Sequence, residues 1–235
     1  MPVTDAITPS STPTRTLPVR VLAEALGSAS LITAVVGSGI MATRLTDDVG
    51  VQLLINAVAT AAALVVLIVV LGPVSGAHLN PVVTAALAVQ RLVPAREILP
   101  TVIAQLVGFA AGAVVANLMF GGAAVSISST VRAEPGLWLG EVVATAGLVA
   151  VILTLVARGQ QSWVPAAVGL YIGSAYFVTS STSFANPGIT IGRIMSDSFA
   201  GIAPESVLAF IAAQLVGATL GLLTVRFVLA PPRRS

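Results

Sequence analysis

The sequence predicts an all-α membrane protein of six transmembrane helices plus two re-entrant half-helices, arranged as an inverted repeat. Three observations predict it. Of the 235 residues, 56% are hydrophobic and 9% charged, a balance outside the range of ordinary soluble domains. Asn80-Pro81 and Asn186-Pro187 each follow one apolar run and precede another. A glutamate, an Asn-Pro pair, Gln-Leu-Val-Gly and a further glycine recur in the same order: Glu24, Asn80, Gln105 to Gly108 and Gly112, then Glu141, Asn186, Gln214 to Gly217 and Gly221. Each repeat holds three spans, an odd number, so the second is inverted relative to the first.

Residues 1–16 are rich in Ser, Thr and Pro and read as a disordered tail. Residues 17–230 form the membrane domain, with repeats over about 17–130 and 131–230, and 231–235 form a short C-terminal tail. The apolar run after Arg20 is too long for a signal-peptide core and lacks a cleavage site, so it is read as the first retained span. At roughly 20 apolar residues per crossing, the spans fall at Leu17–Met41, Val49–Leu71, Ala95–Phe120, Leu137–Ala157, Val164–Ser181 and Pro204–Leu229. In the second span Gln52, Asn56 and Thr60 recur every four residues and make one polar stripe. The stripe either bonds a neighbouring helix or, at Thr60, the deepest position, lines a lumen.

Asparagine caps a helix well, and proline suits the first turn, where its missing N–H is not needed. Each Asn-Pro therefore reads as an abrupt helix start inside the bilayer, tolerated only where protein or a polar cavity shields it. Asn80 to Val89 covers about 15 Å at the rise of an α-helix, half the hydrocarbon thickness. Two such pieces entering from opposite faces meet at the midplane. Their N-termini carry unsatisfied N–H groups and partial positive charge, which repel cations and hydronium. Asn80 and Asn186 can cap their own helices through oxygen while turning NH₂ donors to a passing neutral solute.

The glycine pairs Gly108/Gly112 and Gly217/Gly221 suit a close approach of the third span to the sixth. Glu24 and Glu141 lie deep in spans, where a carboxylate must be paired or hydrogen-bonded. Accepting N–H groups from the loops that hold the half-helices is preferred over a proton relay. His78, on the cytoplasmic approach, is either a neutral ring bonded to loop backbone or a pH gate. Arg193 is placed in the outer vestibule or, equally, in an exposed pair with Asp197. Trp138 and Trp163 read as interfacial anchors.

All the positively charged side chains are arginines, and their distribution orients the chain. With both termini cytoplasmic, Arg15, Arg20, Arg91, Arg96, Arg158, Arg226, Arg233 and Arg234 lie inside, against Arg44, Arg132 and Arg193 outside, as the positive-inside rule requires. This basic balance speaks of topology rather than of nucleic acid. The absence of cysteine removes disulfides and thiolate sites. There is no phosphate loop and no nucleophile–base set, so no enzyme, cofactor or metal site is expected.

Ser75-Gly76-Ala77-His78-Leu79-Asn80-Pro81, the second Asn-Pro, and a glutamate in the first span of each half resemble the aquaporin and aquaglyceroporin (major intrinsic protein) family. The resemblance implies a right-handed bundle, one pore per subunit and a homotetramer in the bilayer. The usual Asn-Pro-Ala is replaced by Asn-Pro-Val at 80–82 and Asn-Pro-Gly at 186–188, and Ile189 stands where arginine is usual. The stretch Phe184 to Pro204 resembles a bacterial branch associated with arsenic resistance, which implies the inner membrane. The family's narrowest point uses four positions; counted without gaps from the two asparagines, they are Thr60, Ser174, Ser183 and Ile189. None is aromatic or charged, so the resemblance implies a broad, mildly polar filter with one apolar wall. A passive channel for small neutral solutes follows: arsenite and antimonite as trivalent hydroxides, with methylated arsenicals, glycerol or water as further permeants. The alternative is a proton-coupled secondary transporter, since inverted repeats with broken helices build those too.

Overall fold

The computed structural model describes residues 15–229. Most of the expected N-terminal tail and all of 231–235, with Arg233 and Arg234, lie outside that range. Eight α-helices occur among the described residues: α1 Leu17–Leu45, α2 Val49–Ser75, α3 Pro81–Val89, α4 Ala95–Met119, α5 Pro135–Ala157, α6 Val164–Val178, α7 Pro187–Gly192 and α8 Pro204–Thr224.

Local chemistry sets most of the boundaries. A proline occupies the first turn of α1, α3, α5, α6, α7 and α8, where its ring pre-sets φ and no N–H is missed. The Asp48 carboxylate accepts from Val51 N–H at 3.0 Å and caps α2, which ends at Gly76 with φ +94°. Only a residue without Cβ enters that conformation freely.

Five of these helices are long and apolar enough to cross a membrane; the last of them is α8 with its π-helical extension Val225–Leu229. The expected fifth span is shorter than 164–181: α6 stops at Val178, and a 3₁₀ turn at Gln161–Trp163 leads into it. Helices α3 and α7 are the two short pieces, and α7 continues as one 3₁₀ turn at Arg193–Met195. Neither is long enough to cross.

Packing follows the repeat. Helix α1 packs on α2 and α4, α5 packs on α6 and α8, and α2 meets α6 to join the halves. This corrects the expected pairing of the third span with the sixth. A Cβ on Gly108 or Gly112 would run into the carbonyls of Ala25 and Ala29 on α1, and one on Gly217 or Gly221 into those of Val142 and Ala146 on α5. The small residues thus bring each half's third span onto its own first span. The stripe on α2 divides. Gln52 donates to Thr46 O at 2.7 Å, and Asn56 donates to Val35 O and Ser38 Oγ at 2.8 and 2.9 Å. Thr60 alone of the three reaches the lumen. Trp163 is exposed at a helix start, as an anchor would be, whereas Trp138 is partly buried against the core.

Candidate functional site

The half-helices are held by two copies of one hydrogen-bond network. Glu24 on α1 is 1% exposed and accepts from Ser75 Oγ at 2.7 Å, His78 N at 2.9 Å, Leu79 N at 2.8 Å and Gln105 Nε2 at 2.8 Å. Glu141 on α5 is 0% exposed and accepts from Phe184 N at 2.8 Å, Ala185 N at 2.9 Å and Gln214 Nε2 at 2.6 Å. Each glutamine also donates to a threonine on the adjacent half-helix, Gln105 to Thr84 Oγ1 at 3.0 Å and Gln214 to Thr190 Oγ1 at 2.8 Å. Both threonine hydroxyls then donate to the carbonyl of the capping asparagine four residues back. A buried carboxylate with three or four donors is compensated, so these glutamates serve as loop anchors.

Anchors are needed because the loops are strained. Ala77 and Leu79 in the first, and Ser183 and Ala185 in the second, have φ between +46° and +53°. Non-glycine residues there cost about 1–3 kcal/mol each and persist only where surroundings over-determine them. The carboxylates take the N–H groups of Leu79 and Ala185 directly.

At the centre, Asn80 Oδ1 accepts from Val82 N at 3.0 Å, and Asn186 Oδ1 accepts from Gly188 N and Ile189 N at 2.9 and 3.3 Å. Their amide nitrogens cross over: Asn80 Nδ2 donates to Ala185 O and Asn186 Nδ2 to Leu79 O, both at 2.8 Å. Each NH₂ group keeps a second hydrogen, and both asparagines line a cavity of about 710 Å³.

That cavity runs from Gly72, Pro73 and Gln161 past the two asparagines to Thr60, Tyr176, Ser183, Ile189 and Arg193. Between Gly72 and Thr60 it follows α2 for about 18 Å. Most of its wall is aliphatic, from residues such as Leu31, Leu64, Ile68, Leu148, Ile152 and Val168.

Thr60, Ser183 and Ile189 line the lumen. Ser174 does not; it is exposed and away from the cavity. The lumen face of α6 is Val168, Ile172 and Tyr176, spaced by four, and Ser174 lies about 200° around the helix from each of the last two. Tyr176 occupies the throat instead, its hydroxyl 3.1 Å from Thr60 Oγ1. Phe184 also lines the wall, so the expectation of a filter without aromatic rings is corrected. The exposed Arg193–Asp197 pair is not formed. Arg193 is 2% exposed, borders the lumen and stacks over Phe184 at 3.5 Å, with Nε donating to Ala200 O. Asp197 instead accepts from Ser129 N and Oγ at 2.9 and 3.0 Å. His78 lines the cavity and bonds the Thr84 hydroxyl at 3.2 Å through Nδ1, rather than loop backbone.

The family model of the major intrinsic proteins matches residues 13–184. The chain belongs to that family. The match covers the first Asn-Pro and stops two residues before Asn186, where the repeated hydrogen-bond network carries the likeness onward. Among relatives, aquaglyceroporin AqpS of Rhizobium meliloti (strain 1021) is 46% identical over 214 residues, 91% of each chain. Aquaporin Z of Bradyrhizobium diazoefficiens is 30% identical over 89% of this chain and 93% of its own. The solved aquaglyceroporin of Plasmodium falciparum superposes with a TM-score of 0.71 at 20% identity, covering 92% of this chain and 98% of that one, and so shares the fold. Major intrinsic proteins are passive membrane channels for small solutes, not enzymes, and this chain has their architecture.

Two features of the site went unread in the sequence. The role of Gln105 and Gln214 was hidden, although the repeated Gln-Leu-Val-Gly marked them. Tyr176 was missed although its spacing of four from Ile172 and eight from Val168 signals a shared face.

Proposed function

We propose that this channel conducts small neutral polyols and hydroxides, with trivalent arsenic and antimony hydroxides as principal permeants and glycerol, water or methylated arsenicals as additional ones. The observation that carries the reading is the composition of the throat. Thr60, Tyr176 and Ser183, three hydroxyl-bearing side chains, share the lumen wall with the aliphatic Ile189, which stands where the family usually has arginine. An uncharged trivalent hydroxide offers three O–H groups to exchange with those hydroxyls. A methyl substituent would lie against Ile189. Replacing a guanidinium by Ile189 also removes five donors and a fixed charge from the narrowest ring.

Passage past the midplane uses the remaining amide hydrogens of Asn80 and Asn186, while the N-terminal ends of the half-helices disfavour cations. Arg193 bounds the outer end of this path and His78 the cytoplasmic approach. The channel works as a homotetramer in a bacterial inner membrane with both termini cytoplasmic, the orientation favoured by eight arginines inside against three outside.

Proteoliposomes test the substrate. Arsenite uptake and glycerol-driven swelling are expected well above empty vesicles. Absence of arsenite uptake by correctly inserted protein rejects the metalloid reading, and uptake that follows an imposed proton gradient and saturates favours the coupled transporter. Ile189→Arg is expected to cut glycerol and arsenite passage by tenfold or more while water passage falls less; equal loss of all three would reject Ile189 as the discriminating wall.

A further inference from the structure

We infer that the outer end of the lumen contains an oxyanion-binding site built by Arg193 and Arg132, with the Ser183 hydroxyl as an added donor. The inference rests on side-chain placement, and only its consequence for flux depends on the channel reading above. Arg193 comes from the turn after α7 and Arg132 from the segment between α4 and α5, 61 residues apart in sequence. The fold brings both guanidiniums to one ring, Arg193 at 3.5 Å and Arg132 at 5.2 Å from the centroid of Phe184. It also ties them to consecutive carbonyls of one loop, Arg193 Nε to Ala200 O and Arg132 Nε to Gly201 O, the latter at 3.0 Å. The backbone of Arg132 is pinned too, its N–H donating to Ser206 Oγ at 2.8 Å.

Two like charges are therefore held at one aromatic ring, and neither makes a salt bridge among the described residues. The one salt bridge among the described residues joins Arg20 to Glu97 at the other end of the molecule. Asp197, four residues after Arg193, is engaged by Ser129. Glu141 is occupied by the N–H groups of Phe184 and Ala185 and by Gln214. Buried charges are ordinarily paired, and an aromatic face plus one carbonyl is a small compensation for the buried Arg193 cation. The terminal nitrogens of both arginines make no hydrogen bond among the described residues. Ser183 Oγ is buried without a partner, on a residue 3% exposed that lines the same lumen as Arg193. A planar pair of donor forks and a free hydroxyl suit a tetrahedral anion with several acceptor oxygens. Such an anion entering from outside is captured at this end of the lumen.

Calorimetric titration of the purified protein with sodium sulfate at constant ionic strength, against sodium chloride, reads the site directly. Saturable binding of sulfate in the parent is expected, weakened at least tenfold in Arg193→Ala and in Arg132→Gln and retained in part by Arg193→Lys. No saturable binding in the parent, or equal binding in parent and variants, overturns the inference. If Arg193→Ala fails to fold, Arg132→Gln decides alone, since Arg132 is only half-buried. Glycerol uptake measured in parallel separates the two readings: sulfate binding without uptake removes the channel substrate and keeps the anion site, whereas uptake without sulfate binding does the reverse.

Discussion

At Thr60 and Tyr176 two hydroxyls 3.1 Å apart tie α2 to α6 beside the lumen, and the tyrosine ring occupies space that the sequence assigned to the small Ser174. Tyr176→Ala is expected to raise glycerol uptake several-fold in stopped-flow swelling while water permeability changes little; unchanged glycerol flux would show that the ring does not set the width. The misplacement has a physical origin. Counting back from Asn186 without gaps assumes that the intervening loop keeps the family's length, and here the chain leaves the helix after Val178 and passes through left-handed conformations at Thr182, Ser183 and Ala185. Ser183, only three residues from the asparagine, lines the lumen; Ser174, on the far side of that loop, does not. Glu24 and Glu141 were legible because a carboxylate in the middle of a span must be explained by its partners. Glu141→Gln replaces an acceptor of N–H groups with a side chain that offers one oxygen and an unwanted NH₂, leaving a buried donor unsatisfied at about 1–3 kcal/mol. Lower yield and a lower melting temperature are expected, with transport by the surviving protein unchanged between pH 5 and 8, roughly the range a histidine or proton relay would reveal. A pH-dependent flux in the parent that the variant loses would point to proton chemistry at this carboxylate.

Among the elements, the helix pairs α1/α4 and α5/α8 rest on glycines facing carbonyls. Backbone opposite a glycine cannot swing aside as a flexible side chain can, so Gly112→Val is expected to separate α1 from α4 and lower the melting temperature by several degrees, detectable by fluorescence or light scattering. Gly136→Ala, with open space around its would-be Cβ, provides the matched control and should melt like the parent. A Gly112→Val protein as stable as the parent would show that the helix contact tolerates a wider spacing. The sequence revealed these small residues and their repetition but not which helix they face. Spacing of four defines a stripe on one cylinder, and the partner is chosen by the loops and by the side chains of the whole bundle.

For the molecule as a whole, two half-helices of opposite entry put their N-terminal ends together at Asn80 and Asn186. A pH step across proteoliposomes is expected to decay no faster than across empty ones while neutral solute flux persists; fast proton leak through the parent would contradict a positive midplane. The general plan was readable because the duplicated Glu, Asn-Pro and Gln-Leu-Val-Gly appear in the same order in both halves. The grip between the halves was not, since it is made by backbone carbonyls, which leave no trace in residue identity. Asn80 reaches the carbonyl of Ala185, and Asn186 reaches that of Leu79. Injury therefore crosses over: a lesion that loosens the Leu79 peptide from Glu24 deprives Asn186, more than a hundred residues downstream, of its resting place. Neither repeat can be repaired, redesigned or inherited on its own, because each supplies the footing for its sibling's gatepost.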